Sequence, residues 1–207
     1  MIILIDNGHG KDTAGKRSPY AAYKTAPALS LYEWEWTREI AKRLEAGLKA
    51  LGIQAERIVT EDYDVSLSER CRRVNTIARS QGKDNVLLIS IHADAFGDGK
   101  TWNDAHGWSA YTSKGKTKSD TLAECLYSAA EYCFKGRKIR KDLTDGDSDK
   151  EENFYILKNT SCPAVLTENF FYTNIDDTKF ILSEEGKKAV VECHINAIAH
   201  YLQEHNN

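Results

Sequence analysis

Val86-Leu87-Leu88-Ile89-Ser90-Ile91-His92-Ala93-Asp94 decides the fold. Its first six residues are almost continuously apolar, which is how a central parallel strand reads when both of its faces are covered. The run is far shorter than the ~20 residues of a membrane-spanning helix. It then turns polar at His92, where such a strand delivers its residues to a ligand crevice.

Working outward, helical and strand-like patterns alternate, which predicts an α/β domain with a mostly parallel twisted sheet and helices on both faces. Ile2–Asp6 reads as the first strand. Trp36, Ile40, Leu44, Leu48 and Leu51 recur at helical spacing up to Gly52, and Ile53–Val59 returns as a strand. Ser66 and Glu69 form a capping box ahead of the stripe Leu67, Cys71, Val74 and Ile77/Ala78, with Gly82 as the stop. Gly107–Thr112 is predicted as a strand, Ser119 opens a helix through Cys133, and 136–153 reads as an exposed charged loop. Ala164–Thr167 is the last central strand, and Ser183 starts a terminal helix to about Tyr201. No repeat or Pro-rich linker interrupts the chain, so residues 1–207 are expected to form a single catalytic domain.

Composition sets the outer limits. Of 207 residues, 41% are hydrophobic and 29% charged, a balance that excludes extended disorder and collagen. A net charge of −3 gives no general reason to bind nucleic acid. The start Met1-Ile2-Ile3-Leu4-Ile5-Asp6 has no basic region or small-residue cleavage site, so it reads as a buried strand and not as a signal peptide. Five cysteines without a CxxC pair predict buried, reduced thiols and synthesis in a reducing compartment.

Two familiar motifs fail. Gly10–Lys16 nearly reads as a phosphate loop, but Arg17 replaces the magnesium-binding hydroxyl and Ser18-Pro19 opposes the helix that should follow. Asp145-x-Asp147-x-Asp149 begins like an EF-hand loop, but Lys150 occupies the glycine position and Ile156 the final glutamate position. A solvated acidic loop is expected there.

The chemistry gathers at strand ends. His9 follows the first strand, His92 closes the third, and Glu168 closes the last. Two imidazoles and a carboxylate suit catalytic zinc, which keeps a position open for water. Glu33, Glu35 and Glu39 are the carboxylates of the first helix. At about 100° per residue, Glu33 shares the apolar face of Trp36, Ile40 and Leu44, whereas Glu35 faces away with Arg38, Glu39 and Lys42. A buried carboxylate needs a partner, so Glu33 is the expected ligand. The alternative is that it merely complements the helix dipole.

Four segments, Ile5-Asp6-Asn7-Gly8-His9-Gly10, Tyr32-Glu33…Ile40-Ala41-Lys42-Arg43-Leu44, Ser90–Ala95 and Cys162–Phe171, resemble in order the zinc-dependent N-acetylmuramoyl-L-alanine amidases of the amidase_3, AmiC-like type. The resemblance implies Zn2+ bound by His9, Glu33 and His92, and Glu168 as the catalytic acid/base. It implies hydrolysis of the amide between N-acetylmuramic acid and L-alanine in peptidoglycan. Arg73-Val74-Asn75 also matches a family element and is expected to be structural. Trp34, Trp36, Thr37 and the acidic stretch 140–152 depart from the commoner pattern, and residues 142–152 are expected to overhang the site and select stem peptides.

The expected partner is peptidoglycan or a muropeptide, for a monomer resembling phage-type lysins that reaches the wall by release or export. The rival readings are a zinc peptidase or other amidohydrolase, and a non-catalytic wall-binding protein. His106 is expected to be a loop histidine, and His194, His200 and His205 are expected to face solvent. Trp34, Trp36, Trp102 and Trp108 suit either sugar stacking or packing. Asn169 is expected to orient a bound amide.

Overall fold

The computed structural model describes residues 1–19, 21 and 26–205. Its strands are β1 (Ile2–Asn7), β2 (Ala55–Arg57), β3 (Val86–Asp94), β4 (Ser109–Thr112), β5 (Lys150–Glu151) and β6 (Ala164–Phe171). Its helices are α1 (Glu33–Ala50), α2 (Leu67–Gln81), α3 (Ser119–Cys133), α4 (Tyr155–Lys158), α5 (Ile175–Leu182) and α6 (Glu184–His205). The sheet order is β2-β1-β3-β6-β4-β5. The first four are parallel neighbours, β4 runs antiparallel to β6, and β5 lies parallel to β4.

Side-chain alternation along the strands builds two cores. Ile3, Ile5, Leu87, Ile89 and Ile91 face one side, where Trp36, Ile40, Leu44 and Leu48 of α1 join apolar residues of α3 and α6. Leu4, Val86, Leu88, Ala164 and Leu166 face the other, against Cys71, Val74 and Ala78 of α2 and Ile156 and Leu157 of α4. The same alternation sends Asp6, Ser90, His92 and Glu168 toward the α2 face, beyond the end of that apolar layer. Among the described residues no helix is long and apolar enough to cross a membrane. All five cysteines are free, and all but Cys133 are buried.

Several expectations need correction. The second strand is only three residues long: Ile53 N–H is spent on Leu48 O at the end of α1, and pairing with β1 ends where Ile58 N–H reaches Ile5 O. The last central strand continues past Thr167 to Phe171, with a register shift between His92 and Asp94. Residues 136–153 are not simply an exposed loop. Lys150–Glu151 extends the sheet, and Ser148 and Asp149 are buried, the latter accepting from Thr112 Oγ1 at 2.6 Å. Burial, with Asp147 and Asp120 nearby, raises the Asp149 carboxyl to about 7. His194 does not face solvent: it is fully buried, with Nδ1 2.7 Å from Val190 O and Nε2 3.0 Å from Thr167 Oγ1. The helices α4 and α5 were not anticipated. Arg73 and Asn75 are structural, binding Glu61 and Ile58 O, and the 159–161 turn, respectively.

Candidate metal centre

The crevice is built where β1 and β3 end and α1 begins. β1 delivers His9 two residues past its last residue, with φ of 60°, a left-handed conformation in which histidine is enriched but strained. Two guanidinium groups hold that turn: Arg38 Nη1 and Arg70 Nη2 each donate to His9 O at 3.1 Å. Arg70 is itself buried and donates at 2.6 Å to both Asp6 Oδ1 and Asn7 O. Ser90 Oγ donates to the other Asp6 oxygen at 2.6 Å. The Asp6–Arg70 pair is therefore hydrogen-bonded on both members, the condition under which buried charges are tolerated.

Glu33 is the first residue of α1 and is almost fully buried. Its backbone N–H donates to Lys16 O at 3.0 Å, which fixes the helix start without a side-chain cap. Oε1 lies 3.1 Å from His92 Nδ1 and accepts from Ala93 N–H at 3.2 Å. Oε2 lies 3.4 Å from His9 Nε2 and has no hydrogen-bond partner. Glu33 thus lies on the buried face that helix phase predicts, and Glu35 is exposed. Arg38, grouped with Glu35 on the outer face, is instead buried beneath the His9 turn.

One ligand atom each from His9, Glu33 and His92 lies within 4.8 Å of the other two. The imidazole rings meet edge-on, 5.1 Å between centroids. Burial is the main cause that lowers His9 to about 4, with His92 and Lys16 adding to it against the pull of Glu33. Burial also pushes the Glu33 carboxyl upward, but the His92 hydrogen bond and both imidazoles outweigh it and hold Glu33 below its ordinary value. A neutral imidazole and an ionised carboxylate are the protonation states that bind metal. Two nitrogen donors, one carboxylate and an orphaned buried oxygen fit zinc, with a coordination position left for water.

Glu168 adjoins this cluster. It is the register partner of His92, and its Oε2 is buried without a partner. Burial, reinforced by the Asp94 and Glu33 carboxylates, raises its pKa well above the usual carboxylate value. The four residues line one cleft of about 280 Å³ together with Lys16, Asp94 and Tyr172. Asp94 is paired with Arg140 at 3.0 Å, and Arg140 also lies over the Phe171 ring.

Lys16, Asp94 and Tyr172 escaped the sequence reading. Lys16 belongs to the failed phosphate-loop motif. After Gly15 the chain pairs in extended form with Tyr32 instead of entering a helix, and this brings Lys16 to the cleft. Asn169 does not orient a bound amide. It is fully buried, accepting from Trp108 Nε1 and donating to His92 O and Thr167. Trp36 and Trp108 are core residues, Trp34 and Trp102 are half-buried, and His106 lies outside the cleft. Residues 142–152 do not line it either, because their buried part is anchored at the far edge of the sheet.

Comparison with known proteins agrees with this geometry. The cell wall amidase LytH of Staphylococcus epidermidis, itself described as probable, is 27% identical over 97% of this chain and 58% of that protein. The N-acetylmuramoyl-L-alanine amidase LytC of Bacillus subtilis is 30% identical over 96% of this chain and 35% of that protein. The chain thus spans little more than half, or less, of these relatives. The crystal structure of an N-acetylmuramoyl-L-alanine amidase from Clostridium difficile 630 superposes with a TM-score of 0.79 at 27% identity, covering 98% of this chain and 96% of that one. The Amidase_3 family model, described as N-acetylmuramoyl-L-alanine amidase, matches residues 3–200, and the chain belongs to that zinc-dependent family.

Proposed function

We propose that this chain hydrolyses the amide joining the lactyl group of N-acetylmuramic acid to the L-alanine of the peptidoglycan stem peptide. In this reading His9, Glu33 and His92 hold zinc, and Glu168 is the acid and base. The observation that carries it is the meeting of His9, Glu33 and His92 within 4.8 Å beside a carboxylate whose buried oxygen has no partner. Relatives named as wall amidases support the substrate class.

Zinc bound there supplies a Lewis acid that lowers the pKa of water toward ~7 and stabilises charge developing on the substrate oxygen. The protein does the rest. Glu168 takes a proton from the attacking water and returns it to the departing alanine nitrogen, so that acid and amine leave with atoms balanced. A carboxyl group raised by burial suits both transfers near neutral pH. The Arg38 and Arg70 hydrogen bonds hold the His9 backbone, so the imidazole is oriented before substrate arrives. The substrate lies in the wall, which the protein reaches by release or export.

Mass spectrometry of digested peptidoglycan tests this. New L-alanine amino termini on intact glycan strands are expected. Cleavage at a different amide, or none with zinc supplied, would replace the assignment by one of its rivals.

A further inference from the structure

Helices α3 and α6 pack antiparallel, so Cys125 near the middle of α3 lies opposite the last turns of α6. There His200 and Glu204 stand at i and i+4 on one helix face, His200 Nε2 3.5 Å from Glu204 Oε1. Cys125 is 5% exposed, while both partners reach solvent. One ligand atom from each of the three lies within 4.8 Å of the others. Thiolate, imidazole and carboxylate are the donor types zinc accepts.

We propose that Cys125, His200 and Glu204 form a second transition-metal site, selective for zinc-like divalent ions and separate from the crevice at the strand ends. Tetrahedral zinc with bond lengths of about 2.0–2.3 Å sets its donors roughly 3.3–3.6 Å apart. The His200–Glu204 spacing already meets this, and the remaining closure falls on two exposed side chains free to turn. Burial and the Glu204 carboxylate keep the Cys125 thiol up at about 11, so the ion displaces a proton from sulfur when it binds. Three protein donors leave one position for water. The ion would staple the end of α6 to α3, and its occupancy would raise thermal stability without touching the cleft. This inference does not depend on the proposed hydrolysis.

Cobalt(II) separates the two sites, because only this one has a sulfur donor. The whole chain, kept reduced without added thiol, is loaded with cobalt and freed of excess. A thiolate-to-cobalt charge-transfer band in the near ultraviolet and a second metal equivalent are expected in the wild type. His9→Ala should keep the band. Cys125→Ser and His200→Ala should each lose the band and one equivalent while retaining wild-type peptidoglycan hydrolysis. Cys133→Ser, a change at the one cysteine that is not buried, should leave the band intact. Absence of the band from folded wild-type protein, or its survival in Cys125→Ser or His200→Ala, would overturn the site.

Discussion

His92 and Glu168 are direct register partners on the parallel strands β3 and β6. In a parallel pair such partners project to the same face, so the two side chains emerge side by side at the carboxyl end of the sheet. A single sheet register therefore sets the spacing between a proposed metal ligand and the proposed base. Glu168→Gln keeps shape but cannot accept a proton as a carboxylate does. We expect folded protein with near-normal zinc and a kcat lower by roughly 10²–10⁴. Zinc stoichiometry and amine release measured on one preparation check this; lost zinc would make Glu168 a ligand.

Glu33 and Glu35 are two residues apart on α1, one buried between imidazoles and the other exposed. Glu33→Ala should abolish tight zinc binding and activity, whereas Glu35→Ala should preserve both. Metal analysis after dialysis distinguishes them, and equal zinc in the two variants would remove Glu33 from the centre.

Gly8 has a packing role that no ligand list includes. A Cβ there would lie 2.4 Å from His92 Cε1 and Nδ1. Gly8→Ala should push the imidazole away and weaken zinc binding about 10- to 100-fold, the range seen when a ligand loses its support. Competition with a chelator measures it; unchanged affinity would mean that the ring position is not critical.

The buried His194 ties stability to pH. Burial lowers it from 6.5 to about 4, so between these values the unfolded chain holds the extra proton. Stability should therefore fall as pH drops through that window, by at most ~1.4 kcal/mol per pH unit from this group, with the loss complete below about pH 4. Urea midpoints from pH 7 to 4.5 should slope less in His194→Gln than in the wild type. Parallel slopes would refute the assignment.

Arg70 serves Asp6, Asn7 and His9 at once from a buried position. Arg70→Ala leaves Asp6 buried beside Ser90 without its cation and should cost about 3–5 kcal/mol. Denaturant unfolding of the purified variant provides the number, and a loss below ~1 kcal/mol would show that water replaces the guanidinium.

What was legible in the sequence followed from periodicity. The apolar run of β3 marked the sheet centre, and helix phase picked Glu33 from among three glutamates. His194 was open to the same logic, since Val190, Ala197 and Ile198 share its buried helix face. Asn174, which accepts from the Asp176 and Asp177 N–H groups, is the cap signal that would have revealed α5. The direction of β4 was not legible, because a run of only four mostly buried residues reads alike in either direction. Nor were Arg38, Arg70 and Lys16: their partners lie across folded-in turns, and no local pattern sets such distances. The acidic stretch misled because its composition is that of solvent, while Asp149 is held inside by a single threonine.

The double guanidinium grip on the His9 carbonyl also bears on the order of assembly. In a zinc finger, folding and metallation are one event, and chelation unfolds the chain. Here the turn that carries the first ligand is fastened by arginines from α1 and α2, which owe nothing to an ion. The His9 turn is therefore held whether or not a metal is bound, and a chelator should leave the fold standing. The scaffold of this centre is thus a product of the polypeptide alone, unlike that of a zinc finger.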